Sequence, residues 1–303
     1  MRIGIIGATG FIGSALASEA VKRGIGVVVF SRRKDLFLPW AKEIRPVHGD
    51  GQVIDPSDLD ALVNLAGESV LGLWTRAKRR RIRESRITLT ERIVEALKQC
   101  PQRPGTFLSA SGTGAYGNRG DEVLTENSER GKGFLADVCA DWEAAANAAI
   151  PLGVRVVLLR TGLVLGRDGG TWPLLRRIFR ARIGGRLGNG KQWMPWIHLA
   201  DEVGIILHAL EKTSYAGPVN LTAPNPVTNT DLTTNVAGAL GRRPFLPTPA
   251  FLLRLFLGQA SSMLLDSQRV HPQSAQTRAY NFQFSELNDA LLDLTEPQSA
   301  TPF

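Results

Sequence analysis

Cysteine is almost missing from this 303-residue chain, which has two, Cys100 and Cys139. That is too few for a disulfide framework or a cysteine-built metal cluster. Histidine is equally sparse, with four residues at no ligand-like spacing, so no metal site is expected. Long apolar runs are missing as well: no window approaches the roughly 18 apolar residues that a membrane span needs. Arg2 and the glycine turn behind it interrupt any leader-like segment. A cytoplasmic protein with no membrane contact is the expectation. Lysine accounts for only eight of the 36 basic residues, so arginine carries most of the net charge of +8. Guanidinium forks suit phosphate and other anions. Internal repeats and low-complexity segments are absent. The 43% hydrophobic and 21% charged content is that of an ordinary globular protein of one or two domains.

What is present starts at the N-terminus, MRIGIIGATGFIG. Arg2–Ile6 suits a strand buried on both faces, Gly7, Gly10 and Gly13 follow at three-residue spacing, and Phe11–Arg23 has a helical pattern. In a strand–turn–helix of this kind one glycine permits the turn, the next lets the backbone approach a pyrophosphate, and the last allows close helix packing. The free N–H groups of the helix start then face the phosphates. Gly7, Thr9, Gly10, Phe11, Ile12 and Gly13 are therefore the first dinucleotide-binding candidates.

Gly26–Phe30 reads as the second parallel strand, and Ser31, Arg32, Arg33 and Lys34 follow it. An NAD site would place a carboxylate there for the ribose 2′-hydroxyl, whereas two arginines suit a 2′-phosphate, so NADP is the expected cofactor. A short strand is expected at Ile44–His48, and a clear one at Ala61–Leu65, whose end, Leu65, Ala66 and Gly67, falls beside the middle of the cofactor. Trp74–Leu97 reads as one long helical stretch with a basic run from Arg76 to Arg86, most of it solvated. Strands follow at Phe107–Ser111, Arg155–Leu159 and Val219–Leu221, and helices at Leu135–Ala149, Leu174–Arg182, Val203–Leu210 and Asp231–Leu240. Pro249–Leu265 is apolar and amphipathic, and burial inside a smaller domain is expected for it. Thr295–Phe303 reads as a frayed tail.

The alternation implies an α/β protein: a Rossmann-type doubly wound parallel sheet over residues 1–165 and a smaller C-terminal α/β substrate domain over 166–303. Part of 193–221 returns to the first domain.

Read together, GATGFIG at Gly7–Gly13, NLAG at Asn64–Gly67, the serine strand leading to Tyr116-Gly117, RTGLVLG at Arg160–Gly166 and WIHLADE at Trp196–Glu202 resemble the extended short-chain dehydrogenase/reductase superfamily. NLAGES, the IRESR run at Ile82–Arg86, DWEAAA, PWIH, LTAPNPVTN, GRRP and SQRVHP resemble, more narrowly, its atypical "epimerase family protein" group, similar to nucleoside-diphosphate-sugar epimerases. The resemblance implies NADP held by the first domain with the second closing over it. It implies that Ser31 and Arg32 meet the 2′-phosphate, that Leu65 and Ala66 line the cofactor, that Arg86 approaches it, and that Val164 lies at the nicotinamide end.

The superfamily's proton relay is a Tyr and a Lys four residues apart. Here Tyr116, Tyr215 and Tyr280 are followed at that spacing by Gly120, Val219 and Phe284. With Glu143 aligned to the acidic residue that follows the pair, Leu135 and Cys139 take the two positions. Three catalytic candidates stand in for them. Glu68 could act as a base if desolvated, Ser111 could bind substrate at a strand end together with Ser109 and Thr113, and Tyr116 offers a phenol without its lysine. Cys139 and His198 read better as packed side chains. The expected partner is a small polar, nucleotide-sugar-like substrate, and the chain is expected to be a monomer or homodimer. Two other readings remain open: a non-catalytic NADP(H) sensor, and RNA binding through the basic run, which lacks the aromatic residues of a stacking platform.

Overall fold

The computed structural model of the chain describes residues 1–33, 38–46 and 54–296. A parallel sheet organises it, made of β1 (Arg2–Ile6), β2 (Gly26–Ser31), β3 (Glu43–Pro46), β4 (Ala61–Asn64), β5 (Thr106–Gly112) and two later strands, Arg155–Thr161 and Gly217–Leu221. Their order across the seven-stranded sheet is Gly217–Leu221, Arg155–Thr161, β5, β4, β1, β2, β3. The chain enters at β1, winds outward to β3, then crosses back to β4. The direction of winding therefore reverses between β1 and β4, and ligands of doubly wound sheets bind outside the carboxyl ends of the strands at such a point.

The strands are apolar throughout because both faces are covered. Ile3, Ile5, Val27, Val29, Ala61 and Val63 point to one side, where α1 (Phe11–Lys22) and α6 (Leu199–Glu211) cover them. Ile6, Val28, Phe30, Leu62 and Phe107 point to the other, under α3 (Ile87–Gln99) and α4 (Phe134–Asn147). Each such buried side chain contributes about 1.5–3 kcal/mol of transfer free energy. The register makes the alternation cooperative, since Ile5 stands opposite Val29 on one flank and Val63 on the other.

A smaller unit is built on Trp172, Phe179, Met194, Trp196, Leu232, Val236, Leu287 and Leu291. Its helices are α5 (Trp172–Arg180), α7 (Asn229–Ala239) and Leu287–Thr295. Leu163–Gly166 pairs with Trp196–His198, and Gly217–Leu221 then joins the edge of the large sheet, so the chain passes between the two units more than once. Asp201, in the first turn of α6, accepts from the Tyr280 hydroxyl and the amides of Gln283 and Phe284, which pins the C-terminal segment to the large sheet.

Three expectations need correction. The stretch Trp74–Leu97 is two helices, α2 (Arg76–Glu84) and α3, parted at Ser85 and Arg86. The break is tertiary in origin: the Ser85 hydroxyl accepts from the Glu68 amide, and the Arg86 guanidinium donates to the carbonyls of Glu68 and Ile82. The strand expected at Ile44–His48 is Glu43–Pro46, with Val47 and His48, like Lys34 and Pro297–Phe303, outside the described residues. Of Pro249–Leu265, Ala260 and Ser261 are buried but the first half is not. Its helix Ala250–Leu257 has no buried residue, and Phe251, Leu255 and Phe256 are 65%, 72% and 71% exposed. Periodicity reports an apolar face but not whether anything covers it.

Candidate active site

The turn after β1 is shaped by contacts that exclude side chains. Gly7 has φ +90°, and a Cβ there would lie 3.0 Å from the Ala66 amide nitrogen. A Cβ on Gly13 would lie 2.1 Å from the Gly7 carbonyl oxygen, so α1 starts hard against the turn. The Gly10 amide donates to the Gly7 carbonyl at 2.9 Å, which closes the turn. Helix α1 then begins with no side-chain cap and no acidic residue in its first turn. Its leading N–H groups, around Thr9, Phe11 and Ile12, stay available to an anion. The Phe11 ring packs against Gly166, Gly169 and Gly170, where a Cβ would come within 2.5, 2.2 and 2.9 Å of it. It therefore fastens the hairpin that carries Val164 to the start of α1.

At the end of β2, Ser31 accepts from the Arg33 amide at 3.0 Å, and the Arg32 and Arg33 side chains are exposed. At the end of β4, Asn64 accepts from the Ala66 amide, and Leu65 and Ala66 back onto Gly7. Arg86 lies against Gly67 and 5.1 Å from the Trp142 ring centroid, and burial holds its guanidinium below its usual range. These residues gather at the carboxyl ends of β1, β2 and β4, where doubly wound sheets take their ligands.

Beyond β5 and Arg155–Thr161 lies a cavity of about 760 Å³, and Arg86 is part of its wall. One wall is α4, and there Leu135 and Cys139 face the space, one helical turn apart. Burial pushes the Cys139 thiol up to about 11, so it stays protonated at neutral pH. The opposite wall comes from Arg254 to Gln268, more than 100 residues further along the chain. Of the cavity's ionisable side chains, Arg86, Lys132 and Arg254 are cationic and Asp266 is the single carboxyl. Burial raises the Asp266 pKa, and among the described residues it has no ion-pair partner.

Of the three catalytic candidates, Ser111 alone is in the cavity lining. Glu68 is bound by Lys78 at 2.7 Å with Arg81 beside it, and these cations hold its carboxyl below the usual range. The desolvation that would make it a base is missing. Tyr116 is fully buried and is not on the cavity wall; its hydroxyl donates to Asn220 Oδ1 at 2.7 Å and accepts from Arg160 at 3.0 Å. Burial raises its pKa further. Ser111 touches the cavity, but its hydroxyl donates to Glu143 at 2.7 Å. Glu143 also takes two hydrogen bonds from Arg160 and one from Arg130. Burial alone would raise the Glu143 pKa; these cations outweigh it and lower it. Ser111, Glu143, Arg160, Tyr116 and Asn220 thus form a buried brace beneath the cavity floor. His198 is likewise packed, on Phe284, with a pKa lowered by burial.

A family model described as the NAD dependent epimerase/dehydratase family matches residues 3–221. The chain belongs to that family. A second model, a domain of unknown function, matches residues 248–294, which contain the far wall of the cavity. An epimerase family protein of Mycobacterium leprae is 39% identical over 295 residues, covering 95% of this chain and 94% of its own. The human epimerase family protein SDR39U1 is 34% identical, covering 97% and 99%. The crystal structure of that human protein with NADPH superposes with a TM-score of 0.86 at 33% identity, over 97% of this chain and 99% of its own. A UDP-glucuronic acid 4-epimerase from Bacillus cereus, at 17% identity and TM-score 0.76, shares the fold. The family and the doubly wound architecture read from the sequence are therefore those of the protein.

Asp266 was missed in the sequence. Nothing in its neighbourhood, LLDSQ, differs from an ordinary loop aspartate; only the folding of residues 258–268 places it in the cavity wall.

Proposed function

We propose that the protein is an NADP(H)-dependent oxidoreductase or epimerase in which Asp266 handles the proton that the superfamily's Tyr and Lys usually carry. One observation carries this reading: Leu135 and Cys139, the two positions that alignment through Glu143 gives to the relay pair, line the same cavity as Asp266, its one carboxyl among the described residues. The nicotinamide, when bound, supplies or accepts the hydride. The chain's own residues do the rest. Gly7 to Gly13 and the start of α1 hold the pyrophosphate, Arg32 and Arg33 meet the 2′-phosphate, and Arg86, Gly67 and Ala66 line the middle of the cofactor. Asp266, half-buried with a raised pKa, keeps its proton closer to neutrality than an exposed aspartate and can donate it to a developing alkoxide. Trp74, Trp142 and Phe134 offer flat apolar surface, and Arg254 and Lys132 offer positive charge. A small substrate with a planar group and an anionic group, as in a nucleotide sugar, suits these walls.

The test has two parts. Fluorescence titration measures NADPH and NADH binding to the protein and to the variant Arg32→Ala with Arg33→Ala. Wild type favouring NADPH, with the preference lost in the variant and NADH binding unchanged, supports the cofactor reading; equal affinities in the wild type refute it. Exchange of deuterium from labelled NADPH into carbonyl compounds then measures turnover, with Asp266→Asn expected to lower the rate about 10²–10⁴-fold while NADPH binding persists.

The apolar relay position also favours a second reading, an NADP(H)-binding sensor without turnover. In that case NADPH binds and no deuterium is exchanged with any carbonyl compound. RNA binding through α2 has less support, because Lys78, Arg80, Arg81 and Arg83 pair with Glu68, Glu84, Glu68 and Asp141.

A further inference from the structure

The basic surplus of the chain is concentrated. Residues 169–200 hold six arginines and lysines and residues 232–265 hold three, with no aspartate or glutamate in either stretch. Folding brings the two stretches together, since Gly185–Leu187 pairs in parallel with Phe245–Thr248. Around this ribbon Arg180, Arg182, Arg186, Arg242 and Arg243 are exposed, and none forms an ion pair among the described residues. Between these charges stand Ile183, Phe245 and Leu246, 63%, 55% and 72% exposed. The ribbon leads at once into the helix Ala250–Leu257, which presents Phe251, Leu255 and Phe256 beside Arg254. Single exposed apolar side chains are ordinary, but five on the consecutive strand and helix with Ile183 nearby, set among arginines without ion pairs, are not.

We propose that this ribbon and helix form a docking surface for an anionic lipid bilayer. Charge selects the occupant. A second copy meeting this face through its own would set arginine against arginine in an apolar contact, which costs free energy. An anionic surface neutralises them instead. Nucleic acid would answer the arginines but gives no apolar medium for Leu246, Phe251 and Phe256. A bilayer with acidic headgroups answers both, with arginines at the headgroups and the exposed apolar side chains of the helix, joined by one of the ribbon's, in the acyl boundary. Docking by this face also sets the cavity close to the lipid, because Arg254 of the docking helix is part of the cavity wall. The inference does not depend on the cofactor or on turnover.

Co-sedimentation of the full chain with phosphatidylcholine vesicles, with and without phosphatidylglycerol, tests it. The protein should pellet with the anionic vesicles, remain in solution with the neutral ones, and be released by salt. Arg242→Ala with Arg243→Ala should weaken partitioning about 25-fold, roughly fivefold per charge near the surface. Phe251→Ser with Leu255→Ser, which alters exposed side chains only, should weaken it also while leaving NADPH binding and the unfolding midpoint unchanged. Equal behaviour with both vesicle types, or no effect of either pair of substitutions, overturns the proposal. So does a concentration-dependent dimer that Phe251→Ser with Leu255→Ser dissolves, or displacement from anionic vesicles by RNA but not by soluble phosphatidylglycerol.

Discussion

Glu202 offers a sharp test of how the wall of the cavity is held. It lies in the first turn of α6, fully buried, with Oε1 accepting from the Thr161 hydroxyl at 2.8 Å and Oε2 without a partner. Thr161 in turn lines the cavity. Among the described residues no cation offsets the burial, and the pKa rises from 4.5 to about 8, so the carboxyl is protonated at neutral pH. The folded state therefore keeps a proton that the unfolded chain releases above its own pKa. Stability from this group is complete below about pH 4.5, falls as pH rises, and is lost once pH passes about 8. A shift of this size corresponds to a total on the order of 5 kcal/mol, of which about 3 kcal/mol is lost by pH 7. Glu202→Gln keeps the acceptor for Thr161 and removes the ionisation. The variant should match the wild type near pH 4.5 and become more stable than it by about 3 kcal/mol at pH 7, with a larger gap at higher pH. Urea unfolding of both proteins across this range measures the difference directly. A gap that does not change with pH would refute the reasoning, since it would mean that Glu202 is charged in the folded protein.

Two further predictions concern the turn and the brace. Gly13→Ala puts a methyl group 2.1 Å from the Gly7 carbonyl oxygen and should abolish NADPH binding and lower stability by about 1–3 kcal/mol; Gly105→Ala, which meets nothing within 4 Å, is the matched control. Glu143→Gln leaves the buried Arg160 without its charge partner and should cost about 3–5 kcal/mol in urea unfolding. Because the Glu143 pKa is lowered on folding, its contribution is present above the unfolded value of 4.5 and is lost as pH falls through the folded value, so the penalty should shrink in acid. A penalty below about 1 kcal/mol would show that Ser111 and Tyr116 do not depend on this brace and return both to the list of reactive groups.

The turn after β1 was legible in the sequence because its causes are largely local. Gly13 is dictated by its contact with the Gly7 carbonyl inside one strand–turn–helix, and Arg32 and Arg33 stand where β2 ends. The cavity was not legible, because its causes lie between distant segments. Glu68 reads as an open carboxylate until Lys78 folds onto it from α2. Tyr116 reads as a cavity phenol until Asn220, 104 residues later, takes its hydroxyl. Asp266 reads as a loop residue until the segment that carries it closes over β5. The same cause explains the helix Ala250–Leu257: an amphipathic pattern is satisfied equally by a protein core and by a bilayer, and only its exposure separates the two. On the proposed function, the cofactor is held at the ends of β1, β2 and β4, whereas Asp266 is carried to the cavity by residues 258–268, far along the chain. Exchanging residues 258–268 should therefore change turnover while leaving cofactor affinity in place.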